Sequence, residues 1–119
     1  MEPMADIVER YLRAVATQDW DVVDECIADD VVRVGPHRDH YAGREEYLAF
    51  IADLMPKLEG YVMKLGRVTY ANDTLAYAEL TETVQVDGKP MVTSEVLVFE
   101  LTGDGRIARV EIFIHMPAG

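Results

Sequence analysis

The chain has 119 residues, half of them apolar, which is enough for one buried core and too few for two. Its formal net charge of -11 repels phosphate backbones and anionic headgroups, and so excludes nucleic-acid and membrane-surface partners. The single cysteine, Cys26, excludes an internal disulfide and reads as a small core residue of a cytoplasmic protein. No leader with a basic and then an apolar segment opens the chain, and no apolar run reaches the roughly 20 residues of a membrane span.

Apolar residues at Met4, Ile7, Val8, Tyr11, Leu12 and Val15 recur at spacings of three and four, which predicts a first helix over residues 4–18. Asp19 has the side chain of an N-cap, and Trp20, Val23, Cys26 and Ile27 mark a second, shorter helix ending at the acidic triplet Ala28-Asp29-Asp30. Residues 31–35 read as a short strand stopped by Pro36. A third helix begins near Arg44, with Glu45 and Glu46 in the first turn where the helix dipole favours acids. It buries Tyr47, Leu48, Ile51, Leu54 and Met55 before Pro56 and Gly60 end it. Between strand and helix lies RVGPHRDHYAG, residues 33–43, with two arginines and two of the three histidines. It reads as a polar connection that is either solvated or the rim of a site.

Four strands follow, over residues 61–70, 74–86, 91–101 and 106–116. They are rich in β-branched and aromatic residues and separated by the turn formers Asn72-Asp73, Asp87-Gly88 and residues 102–105. Three helices ahead of an antiparallel meander predict one α+β domain over residues 1–119, with the helices on one face of a curved sheet.

Strand alternation then selects an inner face. With Asp87-Gly88 as a two-residue turn, Val86 faces Lys89, Glu82 faces Thr93, Leu80 faces Glu95 and Ala78 faces Leu97. One face of the hairpin carries Ala76, Ala78, Leu80, Glu82, Thr93, Glu95, Leu97 and Phe99, small residues opposite large ones, apolar at one end and acidic at the other. The other face carries Tyr77, Glu79, Thr81, Ser94, Val96 and Val98. With Phe113, it is expected to form a homodimer contact.

The run IVERYLRAVATQDWDVVDECIADDVV, the segment HYAGREEYLAFI and the GDGRI turn before the last strand together resemble the nuclear transport factor two-like superfamily. That superfamily is a cone-shaped, cystatin-like α+β fold shared by ketosteroid isomerases, limonene epoxide hydrolases and SnoaL-like polyketide cyclases. The resemblance covers nearly the whole chain and implies an internal cavity for a small apolar, oxygenated molecule. It implies that Tyr11 sits where the isomerases have an oxyanion-binding tyrosine. It puts the isomerase general base at Gly35 and the second acid at Leu97, neither of which can carry a proton, so the usual isomerase set is broken. The epoxide hydrolase carboxylates and arginine fall on Glu82, Leu80 and Ile112, and the cyclase carboxylate on His115.

Arg33 and Gly35 share a face that the resemblance turns toward the cavity. Arg33 is therefore expected to pair with Glu95, or with Glu82. The pair either satisfies two buried charges or leaves Arg33 to bind a substrate carboxylate or enolate oxygen while a glutamate of raised pKa moves a proton. The expected catalytic residues are Glu82, Glu95 and His37, the last projecting over the opening after Pro36. The expected substrate-binding residues are Tyr11, Arg33, Trp20, Leu97 and Ile112. Asp39 and His40 read as solvated loop residues, and Tyr47 as helix core. No histidine pair has zinc-motif spacing, and no glycine-rich phosphate loop or nucleophile elbow surrounds Ser94, so neither a metal nor a cofactor is expected. Three function classes remain: an acid-base isomerase, cyclase or lyase; a module that binds the same kind of molecule without turnover; and a dimeric interaction protein with a filled cavity.

Overall fold

Helix α1, Ile7–Ala16, turns Val8, Tyr11, Leu12 and Ala14 inward, as a spacing of three and four requires. Met4 and Met116, assigned above to the first helix and last strand, lie outside residues 7–115, the part of the chain that this computed structural model describes. Helix α2, Trp20–Cys26, opens on Asp19, whose carboxylate accepts the Val22 N–H at 3.4 Å.

The second helix stops before Ile27. Ile27 is extended, with φ -107 and ψ 148, and begins β1, Ile27–Val34. Ala28-Asp29-Asp30 therefore belongs to the strand. The reason is non-local: Ile27 is fully buried opposite Ile107 of β6, Ile107–Ile114. The β1–β6 ladder shifts register between Ile27 and Val32, and Asp29 and Asp30 stay exposed at that irregularity.

Arg44 opens α3, Arg44–Leu54, and braces this corner. Its guanidinium donates to Asp29 and Asp24, each at 2.8 Å, and to the Ile27 carbonyl at 3.0 Å. Asp24, Asp29 and Arg44 thus form one clamp between α2, β1 and α3. Gly43, the N-cap of α3, has φ +93, a region that suits glycine.

Residues 33–43 are a hairpin rather than a free connection. A three-residue strand β2, His40–Ala42, folds back on β1 with Val34 opposite His40, Arg33 opposite Tyr41 and Val32 opposite Ala42. The reversal closes through Gly35 N–H to the Asp39 carbonyl at 2.8 Å and Arg38 N–H to the Gly35 carbonyl at 3.0 Å. So short a strand has no pattern of its own; the ladder offered by β1 creates it.

A 3-10 turn, Met55–Lys57, ends α3. Then β3, Val62–Asn72, β4, Leu75–Val86, and β5, Lys89–Leu101, lead into β6. The sheet runs β2-β1-β6-β5-β4-β3, with β1 parallel to β6 and every other pair antiparallel. Register in the β4–β5 hairpin is the one alternation requires, from Val86 opposite Lys89 to Ala76 opposite Phe99. Its Asp87-Gly88 turn has positive φ at both residues, 53 and 77. Register shifts in β3 and β5 curve the sheet. The inner-face residues Ala76, Ala78, Leu80, Leu97 and Phe99 are buried with Val8, Tyr11, Tyr47 and Ile51 in one core. Cys26 is a buried free thiol in the same core. Among the described residues no helix is long and apolar enough to cross a membrane.

Candidate functional site

A cavity of about 320 Å³ opens between α1, α3 and the inner sheet face. Seven residues expected at the site line it: Tyr11, Arg33, His37, Glu82, Glu95, Leu97 and Ile112. Leu97 and Ile112 lie opposite each other on β5 and β6 and supply apolar wall. Trp20 does not line the cavity; it is half-buried and packs on the core from the start of α2, on the same helical stripe as Val23. His115 sits on the outer sheet face with Ser94 and Phe113, its N–H donating to the Ser94 carbonyl at 2.9 Å.

The acidic end is built by β4 and β5. Tyr61 donates its hydroxyl to Glu82, and Glu82 is hydrogen-bonded to Glu95. Two carboxyl groups in contact cannot both ionise cheaply. Burial first, and then Glu82, push Glu95 up to about 9, against the partial relief of Arg33. Through neutral pH Glu95 is therefore a neutral acid whose O–H donates to Glu82. Burial and the facing carboxylates raise Tyr61 as well. Tyr61 was not read from the sequence as a site residue, yet it shares the parity of Met63, which lies opposite Glu82; extending the inner face one residue before β3 finds it.

The other polar end lies beneath the helices. Tyr11 and Tyr47 share a hydrogen bond between their hydroxyls, and burial raises both well above or above the ordinary phenol value while Arg33 works in the opposite direction. Tyr47 was read as core, and its ring is; its hydroxyl alone makes it part of the site. The Tyr11 ring also meets Phe99 edge-on, 5.8 Å between centroids.

Arg33 acts on both ends, for its charge bears on Tyr11, Tyr47 and Glu95. The expected ion pair with Glu95 or Glu82 is not formed. The guanidinium lies over the Phe50 ring, 4.9 Å from its centroid, and Phe50 stacks on Tyr41 at 3.9 Å. Its carboxylate partner is Asp39, at 3.6 Å. The β1–β2 hairpin explains the exchange: folding back places Asp39 beside the strand end, closer to Arg33 than the hairpin acids. A methyl group on Gly35 would stand 2.3 Å from Asp39 Oδ1 and 2.7 Å from its Cγ. The Asp39 carboxylate thus fills the space in which a side chain at position 35 would begin. Sequence reasoning passed over Asp39 because nothing local predicts β2. Among the described residues no buried side-chain nitrogen or oxygen lacks a partner, and no three His, Cys, Asp or Glu side chains converge as metal ligands.

This arrangement can hold a small apolar molecule against Leu97 and Ile112, with the single Glu95 O–H turning from Glu82 to the oxygen of that molecule. No curated protein sequence matches the chain. Solved structures share the fold at low identity. An epoxide hydrolase of the limonene epoxide hydrolase-like type from M. tuberculosis is 23% identical, with 94% of this chain and 82% of that one covered and a TM-score of 0.79. A candidate ketosteroid isomerase from Kribbella flavida is 20% identical, with 98% and 80% covered and a TM-score of 0.82. A candidate SnoaL-like polyketide cyclase from Shewanella denitrificans is 10% identical, with 97% and 92% covered and a TM-score of 0.83. The family model for the SnoaL-like domain matches residues 8–110, nearly the whole of the described sheet and its helices: this chain belongs to the SnoaL-like domain family.

Proposed function

We propose that the cavity takes a small apolar, oxygenated molecule and acts on it by acid-base chemistry, as an isomerase, cyclase or lyase without the usual ketosteroid isomerase carboxylates. The observation that carries this reading is Glu95, an acid held in its protonated form against Glu82 at the polar end of an otherwise apolar wall. A neutral carboxyl group in such surroundings donates to a carbonyl or ether oxygen and strengthens that contact as negative charge develops. In this reading Glu82, anchored by Tyr61, keeps the proton on Glu95. Arg33 and Tyr11 favour charge on the substrate oxygen, Leu97 and Ile112 hold its apolar body, and His37 stands at the mouth. The sheet and helices form the half-closed, cystatin-like cone that encloses it. The single buried thiol suits the reducing cytoplasm.

Carbon-detected NMR of labelled glutamate side chains tests the reading. Glu95 is expected to titrate far above the carboxylate range, near the value of about 9, and Glu82→Gln to bring it down by removing the facing carboxylate. A Glu95 signal that moves near its ordinary value of 4.5 would sink it.

We also propose that two copies pair through the outer sheet face, where Val96 is 39% and Phe113 52% exposed and the two lie opposite each other on β5 and β6. Sedimentation at micromolar concentration is expected to find a dimer, and Phe113→Asp a monomer. A wild-type chain that sediments as a monomer at that concentration removes the pairing.

A further inference from the structure

Three carboxyl groups and one guanidinium line the cavity: Asp39, Glu82 and Glu95 against Arg33. Arg33 is buried at the level of Val110 and Phe99, four residues along β5 from Glu95, or about 13 Å of strand. Its carboxylate partner is Asp39, at 3.6 Å, and its other contact is the Phe50 ring. Among the described residues that line the cavity Arg33 is the sole lysine or arginine. The acid pair at the far end of the wall is therefore left without a basic partner.

A proton joins Glu82 to Glu95, and the Tyr61 hydroxyl steadies Glu82. Both glutamates are half-buried and point inward from neighbouring strands, Glu82 opposite Thr93 and Glu95 opposite Leu80. Two carboxyl groups so placed favour one positive charge between them, and the proton is the smallest cation that supplies it. A protonated primary amine brings the same charge with three N–H donors, enough to serve both carboxylates at once. Its apolar body then lies along Leu80, Leu97 and Ile112. An anionic head group meets two acids at the same place, and the net charge of -11 repels it before contact.

We propose that this cavity binds apolar primary amines as their ammonium ions, the ammonium group taking the place of the proton between Glu82 and Glu95. The proposal rests on the shared proton of the acid-base reading and adds a ligand class that competes with the oxygenated molecule for the same acid pair. On binding, Glu95 gives its O–H proton to water, keeps the electron pair as a carboxylate and accepts an N–H hydrogen bond. No covalent bond to the ligand forms, and one proton is released for each amine bound. Below the value of about 9 at which Glu95 ionises, the amine must expel that proton, so its affinity rises about tenfold for each pH unit toward 9. Tyr61, Tyr11 and Tyr47 are all raised and keep their protons over this range, and Arg33 keeps its charge. His37 and Asp39, from the hairpin at the wall, are the other ionisable groups, and a variant that leaves both in place separates them from Glu95.

The test is isothermal titration calorimetry of the full chain with cyclohexylamine, an apolar amine that stays protonated well above pH 8, as lysine does. Titrations at pH values of about 7 and 8, each in phosphate and in Tris, read the protons released from the difference in buffer heats. The wild type is expected to release about one proton per amine and to bind about tenfold more tightly at the higher pH. Cyclohexanol, the same ring without the charge, is expected to release none and to bind equally at both. Glu95→Gln has no proton to expel; it is expected to release none, to lose the pH dependence and to bind the amine about tenfold more weakly than wild type at pH 8. Cyclohexylamine that binds no more tightly than cyclohexanol at pH 8 overturns the proposal. So does wild-type binding without proton release, or a release that survives Glu95→Gln. A Glu95 that titrates near 4.5 in the ligand-free chain removes the acid-base reading, whereas a high Glu95 titration beside amine binding that ignores pH removes this proposal alone.

Discussion

Glu95→Gln is expected to stabilise the fold at neutral and alkaline pH, by an amount that grows as pH rises. In the folded chain Glu95 keeps its proton up to about 9, whereas an unperturbed glutamate releases it near 4.5. Between those values the folded state binds the extra proton, so wild-type stability is complete below about 4.5 and falls as pH climbs toward 9. Glutamine presents the same shape, its amide donates to Glu82 as the protonated carboxyl does, and it has no proton to lose. Glu95 still meets solvent on one side, so the gain is screened to about 2 kcal/mol near pH 9 rather than the full value of so wide a shift. Urea unfolding at pH values of about 5, 7 and 9 measures it. A wild-type and variant pair separated by the same amount at every pH would mean that the two glutamates do not share a proton in the folded chain.

Phe99→Ala is expected to cost about 3 to 5 kcal/mol. Phe99 is fully buried at the centre of the inner face, opposite Ala76 on β4 and Val110 on β6. The small residue facing it cannot move in to fill the space, so the cavity term is added to the lost transfer energy. The ring edge against Tyr11 carries the effect to the site, since Tyr11 keeps its hydroxyl on Tyr47 only while its ring is braced. Chemical denaturation reads the stability, and a loss below about 1.5 kcal/mol would contradict a close-packed centre.

Both outcomes depend on a face that alternation alone selects. The period of two in β4 and β5, anchored by Asp87-Gly88, assigns Glu82, Glu95, Leu97 and Phe99 to one side, and the structure keeps every pair in that register. Hydrophobic spacing likewise located α1 and α3, and the Asp19 cap located α2. Errors came where a backbone answers to a distant partner. Ile27 follows a helical stripe in sequence but is drawn into β1 by Ile107 on β6. Residues 40–42 carry no strand pattern but extend along β1.

The partners of the charged and hydroxyl groups follow the same division. That Glu95 faces inward is written in its position; that it meets Glu82, and that Glu82 meets Tyr61, requires the side chains in place. That Arg33 points into the cavity was legible; that it rests on Phe50 and pairs with Asp39 instead of a hairpin acid was not. Local chemistry and periodicity, acting over a few residues, determined which segments are helix or strand and which side chains share a face. Tertiary packing decided which of those side chains touch, because only closure of β2 and β6 on β1 brings residues far apart in the chain within reach of one guanidinium.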